Sequence, residues 1–170
     1  IAVYDSYKEI VADQKTSNTL SGSTVKVDFF PEAGDLVQGL SSVVAVKAIG
    51  DDLKGKAIKG KVWDQDNKLI TLFVTNERGF GSFSLTPAIG SRYRVEVLES
   101  AGQPPIILPE ALPMGHVIKI VNTKPDTIVI RAKSNLPQGL EEAFIIGHVR
   151  GNIVVANKFS ALNEQVLILP

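Results

Sequence analysis

What most constrains this chain is a recurring pattern: short runs in which apolar and polar residues alternate, each closed by Gly, Pro, Asn or Asp, with no stretch repeating at the helical period. In the first run Val25, Val27 and Phe29 fall on one side and Lys26 and Asp28 on the other, the period of a strand with one buried face. Pro31 lacks a backbone donor and is expected to end that pairing. Similar runs at 43–49, 58–64, 69–75, 80–86 and 92–98 predict further strands, and a second set is expected at 106–108, 117–122, 127–133, 143–149, 153–159 and 166–169. No window of about 11 residues keeps apolar side chains at i, i+3, i+4 and i+7 behind a cap, so the crossover helices of an α/β fold are missing. The expected class is all-β.

Turn chemistry between the runs supports the same reading. Asp64-Gln65-Asp66-Asn67-Lys68 separates two apolar runs with short polar side chains that tolerate left-handed backbone, and predicts a hairpin. Lys124-Pro125-Asp126, Asn135-Leu136-Pro137-Gln138-Gly139 and Arg150-Gly151-Asn152 are read as turns of the second set. The stretch Ala101-Gly102-Gln103-Pro104-Pro105 interrupts both helix and sheet and is read as the joint between two modules. The expected organisation is a linker or the end of a preceding module over 1–24, a first sandwich over 25–100 and a second over 101–170. The polar run from Thr16 to Thr24 has no face to bury, and Tyr4 to Val11 fits either a helical turn or the last strand of a preceding module.

With 44% apolar and 21% charged residues in 170, the chain has enough material for packed cores. Eighteen Lys and Arg balance eighteen Asp and Glu, so no net field concentrates a polyanion, and no basic run interleaved with aromatics marks a nucleic-acid groove. No run approaches the roughly 20 apolar residues that span a bilayer. Ile1 opens no basic and apolar leader, so any export signal is expected outside this segment. The absence of Cys removes disulfides, thiolate metal sites and a thiol nucleophile.

Three stretches carry a resemblance: Val27-Asp28-Phe29-Phe30-Pro31-Glu32-Ala33-Gly34-Asp35-Leu36-Val37-Gln38-Gly39-Leu40 running on to Ala48, then Gly79-Phe80-Gly81-Ser82-Phe83-Ser84-Leu85-Thr86-Pro87, then Gly90-Ser91-Arg92-Tyr93. Together they resemble the macroglobulin-type β-sandwich modules of bacterial alpha-2-macroglobulin-like envelope proteins. Leu112-Pro113-Met114-Gly115-His116 and Gly147-His148-Val149-Arg150-Gly151 are similar to the module that follows in those proteins. The resemblance implies two tandem immunoglobulin-like antiparallel β-sandwiches and export to the periplasm or outer-membrane surface of a Gram-negative bacterium. The implied partners are neighbouring modules of one parent chain and an outer-membrane or extracellular protein. A thioester trap needs a Cys, which this chain lacks, so the resemblance implies a scaffold rather than a trap. It also implies at least one more strand in the second module, which is either incomplete here or has its edge covered by residues near the N-terminus.

Within the quoted motif, Gly79 and Gly81 flank Phe80 where a strand begins and are expected to serve positive φ or close backbone approach. Phe83 and Leu85 are expected to share a buried face, and Tyr93 to pack its ring into the sandwich.

Candidate chemistry is sparse. His116 and His148 lie on separate segments without a motif partner, and no nucleophile elbow, zinc helix, P-loop or dinucleotide fingerprint is present. Asp64, Asp66 and Asn67 offer oxygens of the kind Ca²⁺ prefers, but without the Gly and distal Glu of an EF-hand loop a hairpin is the better reading. Asp51-Asp52 reads as a solvated turn. Trp63 shares a strand face with Lys59 and Lys61, so it packs in a core or faces a neighbouring module; a sugar platform would need a second aromatic nearby. No catalytic, cofactor-binding or metal residue is assigned, and no enzyme activity or cofactor is expected. Two alternatives to a structural role remain: a carbohydrate-binding module, and a regulatory or inhibitory module that binds a protein through an exposed sheet edge, best represented by Ile153 to Ala156.

Overall fold

A computed structural model describes residues 24–100, 102–124, 127–141, 143–160 and 163–169. The expected linker and the Tyr4 to Val11 segment lie outside these, as do Pro125 and Asp126. All regular structure among the described residues is β. The twelve strands are β1 (Val25–Pro31), β2 (Ser42–Gly50), β3 (Lys59–Asp64), β4 (Leu69–Val74), β5 (Phe80–Leu85), β6 (Tyr93–Val97), β7 (Ile106–Ile107), β8 (His116–Lys124), β9 (Thr127–Ser134), β10 (Phe144–Val149), β11 (Asn152–Lys158) and β12 (Glu164–Leu169). Each coincides with a run predicted from alternation. Pro31 is the last residue of β1, as a residue without a backbone donor predicts, and just beyond it the Glu32 N–H still donates to the Val43 carbonyl at 2.8 Å.

The chain divides into two compact units, described separately here, and neither is one continuous stretch. The first comprises 24–30, 44–83 and 92–109, and the second 31–43, 84–91 and 110–169. In the first, β1-β2-β5 form one sheet and β4-β3-β6-β7 another, an arrangement consistent with a β-sandwich. Phe29 of β1 and Phe83 of β5 meet Phe73 of the other sheet, with ring centroids 6.2 and 5.4 Å away. Such edge and offset ring contacts contribute about 0.5–1.5 kcal/mol each beyond the area they bury. Val62 and Val95, directly opposite each other on β3 and β6, complete the buried face with no exposed surface.

Two glycines are required by this packing. A Cβ on Gly60 would overlap the Phe73 ring opposite it on β4. Gly79 has φ of 78°, and a Cβ there would strike the Ala48 carbonyl, so both reasons anticipated for a glycine apply at once. Phe83, Leu85 and Tyr93 are all buried, as the alternation predicts. Residues 102–105, read as a joint, connect β6 to β7, which pair as neighbours of one sheet through Arg94–Ile107 and Val95–Ile106. A Gly/Pro-rich stretch ends a strand whether or not the next one returns to the same sheet, so composition alone does not distinguish a joint from a hairpin loop.

In the second unit β12-β9-β8 form an antiparallel sheet, and β10-β11 a separate antiparallel ribbon. Its core gathers Ala132, Leu140 and Phe159, with Ala143, Ile145 and Leu167 packed against them. Leu36 and Val37 are buried, and the Leu112 N–H donates to the Leu36 carbonyl at 2.8 Å. Asn135 ties these segments together. Its Nδ2 donates to the carbonyls of Gln38 (2.9 Å) and Pro113 (3.0 Å), while its Oδ1 accepts from the Gly115 N–H (2.8 Å).

Gly60→Ala is expected to destabilise the first unit by about 1–3 kcal/mol through overpacking, and Phe73→Ala by about 3–5 kcal/mol. Because the added methyl then has no ring to displace, the double variant should lose clearly less than the sum. Urea unfolding followed by Trp63 fluorescence measures all three, and strict additivity would contradict the Gly60–Phe73 contact.

Candidate functional site

The β10-β11 ribbon concentrates exposed apolar surface. Its loop is the two-residue Arg150-Gly151, with φ of 49° and 86°, the left-handed pair that matches strand twist in a tight hairpin. Alternation turns Ala143, Ile145 and Val155 inward and leaves Phe144, Ile146, Val154 and Ala156 outward. Phe144 is 67% exposed and Ile146 64%, with Ile153 at 67% and Val154 at 61%. Scattered exposed apolar residues are ordinary, but several on one two-stranded ribbon make a contact patch. The Lys158 ammonium lies 5.8 Å from the centre of the Phe144 ring, the geometry of a weak cation–π contact at an exposed site.

The backbone of the ribbon matters as much as its side chains. The register pairs Phe144 with Lys158, Ile145 with Asn157 and Ile146 with Ala156, then slips between Gly147 and His148, so that Val154 has no partner across the ribbon. The Phe159 N–H donates to the Ala143 carbonyl at 3.0 Å, which makes 143/159 a hydrogen-bonded pair. Since antiparallel pairs alternate, 145/157 and 147/155 are also bonded pairs, and the N–H and C=O of Phe144 and Ile146 point away from β11. A mostly apolar, half-open cleft of about 220 Å³ adjoins β10, lined by Ile118, Ala132, Leu140, Ala143, Ile145 and Phe159 together with His116.

The residues singled out by sequence do not converge on a reactive centre. His116 begins β8 and His148 sits on β10, in different sheets, and both are exposed. Asp64 turns its Oδ1 back onto the N–H groups of Asp66 and Lys68, both at 2.9 Å, and Asn67 takes φ of 61°, so the loop is the hairpin that its composition predicts. Asp51 accepts from the Thr24 hydroxyl at 2.8 Å, and Asp52 pairs with Lys56 at 3.1 Å and caps the Lys54 N–H at 3.2 Å. Trp63 lies on the outer face of β3, half-buried, opposite Val62 of the core. Its Nε1 donates to Glu96 at 3.0 Å, and the Arg94 guanidinium lies 5.7 Å from its ring centre.

Sequence reasoning named Ile153 to Ala156 as the exposed edge and read Ala143 to Val149 only as a strand. The run Phe144-Ile145-Ile146 is apolar on both faces, and that excess of apolar residues over what one buried face needs was the available signal. No protein-family model and no curated protein matches this chain.

The Lys56 ammonium, bonded to Asp52, and then the Lys54 N–H hold the Asp52 carboxyl below the usual carboxylate range. The sign follows: whatever Asp52 adds to stability is present above the ordinary carboxyl value and lost as pH falls through its lowered one. A carbon-detected NMR titration should show Asp52 rising toward the ordinary value in Lys56→Met; an unmoved titration would mean that the ion pair does not form in solution.

Proposed function

We propose that the chain is a non-catalytic structural and interaction module: two tandem immunoglobulin-like, macroglobulin-type β-sandwiches belonging to a larger exported protein of the Gram-negative cell envelope, at the periplasm or outer-membrane surface. Its partners are neighbouring modules of the same parent chain and an outer-membrane or extracellular protein. The observation that supports this reading best is the outward apolar face of β10-β11, where Phe144, Ile146, Ile153 and Val154 are more than half exposed. Surface of this kind gains free energy by being covered, at roughly 25 cal/mol per Å² of apolar area removed from water. The polar side chains weighed as sites point the same way, since Asp52, Asp64 and Trp63 are already engaged by groups of the chain itself. A carbohydrate-binding role has less support: the Trp63 ring has Arg94 beside it, and the exposed phenylalanines Phe30, Phe80 and Phe144 are on other sheets.

Two measurements test the reading. Fractionation of cells that make the protein should recover it with the periplasm or outer membrane, and recovery in the cytosol would overturn the envelope assignment. Replacing Phe144 and Ile153 together by Lys should leave the far-ultraviolet spectrum and melting temperature within a few degrees of the parent. The same double variant should lose in-cell cross-links made through this face; undiminished cross-linking would overturn the assignment of the ribbon as a contact surface.

A further inference from the structure

Among the described residues of the second unit, the β12-β9-β8 sheet and the β10-β11 ribbon have four outer strand edges, and the chain treats them differently. The edge of β8 is blocked, because Glu32 Oε1 accepts the Ile120 N–H at 2.9 Å. That of β12 begins with a charge, Glu164, paired with Lys133 at 3.1 Å. β11 carries the bulged Val154 and ends in Lys158. Bulges and edge charges are the usual devices that stop a strand from recruiting another. β10, Phe144-Ile145-Ile146-Gly147-His148-Val149, has no Lys, Arg, Asp, Glu or Pro, and the extra residue of the ribbon's bulge lies on β11 rather than on it. The outward N–H and C=O of Phe144 and Ile146 carry no hydrogen bond outside the ribbon among the described residues.

We propose that β10 is the docking edge for one further β-strand, contributed by a partner polypeptide, whose inward apolar side chain seats in the cleft between β8 and β10. This rests on the interaction-module reading and names the chemistry of the partner. The free backbone row dictates an extended strand, since only a strand presents donors and acceptors at the matching repeat. The cleft dictates what the strand carries. At about 220 Å³ it is smaller than the roughly 300–1,000 Å³ of a small-molecule pocket and suits one aliphatic or phenyl side chain. Apart from His116 its lining is apolar, with Ile118, Ala132, Leu140, Ala143, Ile145 and Phe159 prominent, and it holds no carboxylate to pair a buried Lys or Arg and no ammonium or guanidinium to pair a buried acid. On the core-facing side of the neighbouring sheet, Ile120 and Ile128 remain 51% and 42% exposed, although they share that face with the buried Ile130 and Ala132. That side of the sheet is only partly covered, and an added strand beside β10 extends the ribbon that covers it.

The test uses the whole chain and a capped ten-residue peptide of alternating Val and Thr, compared with one in which Glu replaces every Val. The Val/Thr peptide should slow hydrogen exchange at the Phe144 and Ile146 amides and shift the resonances of Ala143, Ile145 and Phe159, whereas the Glu peptide should do neither. Ile146→Pro removes a donor directed away from β11, so the ribbon should keep its spectrum while peptide affinity falls about tenfold or more. Protection appearing at Val154 and Ala156 would place the strand on β11 and overturn the proposal. So would self-association through β10 without peptide, binding of both peptides alike, or Ile146→Pro binding as well as the parent. If the peptide fails while cross-linking through Phe144 and Ile153 persists, only this proposal falls. Loss of that cross-linking as well would remove the interaction reading beneath it.

Discussion

Each strand presents two rows of backbone donors and acceptors, and the arrangement of this protein follows from how each row is satisfied or shielded. A buried backbone group without a partner costs as much as a lost hydrogen bond or more. In the first unit β3 has both rows taken, by β4 and β6, and the two-residue β7 extends the ladder beyond β6. In the second unit β9 lies between β12 and β8, and Glu32 reaches the free row of β8. The bulge in β11 distorts that strand's own row. Among the described residues of the second unit, none of these devices acts on β10.

The contrast between the units is one of packing as well as pairing. In the first unit Phe29, Phe73 and Phe83 meet between two sheets while Phe30 and Phe80 stay exposed, and Gly60 is present because the Phe73 ring occupies the space of its side chain. The second unit has a smaller central cluster, Ala132, Leu140 and Phe159, and sets Phe144 outward. Asn135 compensates with polar tethers, holding the Gln38 and Pro113 carbonyls with one amide nitrogen. A side-chain amide with three such bonds fixes loop geometry that a small apolar cluster does not fix by itself.

The twelve strands among the described residues were legible in the sequence because alternation, or a short apolar run closed by turn residues as at Ile106-Ile107, is a local property of each run. Partner choice is not local. Nothing in Ile106-Ile107 states that it returns to pair with Arg94 and Val95, so the partner of that short run was not legible. The Asp64 loop was legible because its carboxylate bonds to amides two and four residues away, within the span of a turn. The role of Glu32 was not, since its acceptor meets an amide 88 positions further along. The candidate site falls between these cases. Ile153 to Ala156 could be named as an uncharged edge from composition, whereas the slip that leaves Val154 unpaired depends on the register against β10.

That register bears on which edge can recruit a strand. A bulged strand twists and breaks the even spacing of its outward groups, so a newcomer on β11 would lose ladder bonds at Val154. On β10 the outward groups keep the two-residue repeat from Phe144 to Ile146, and the inward side chains of a newcomer would meet apolar walls instead of water. Exposed apolar area and an open hydrogen-bonding row therefore have different sources in this ribbon. To a strand docked as proposed, the outward face of both strands would supply adhesion without direction, and the β10 edge would supply register. A partner that used the face alone would slide; one that also paired with β10 would be fixed at the spacing set by Phe144 and Ile146.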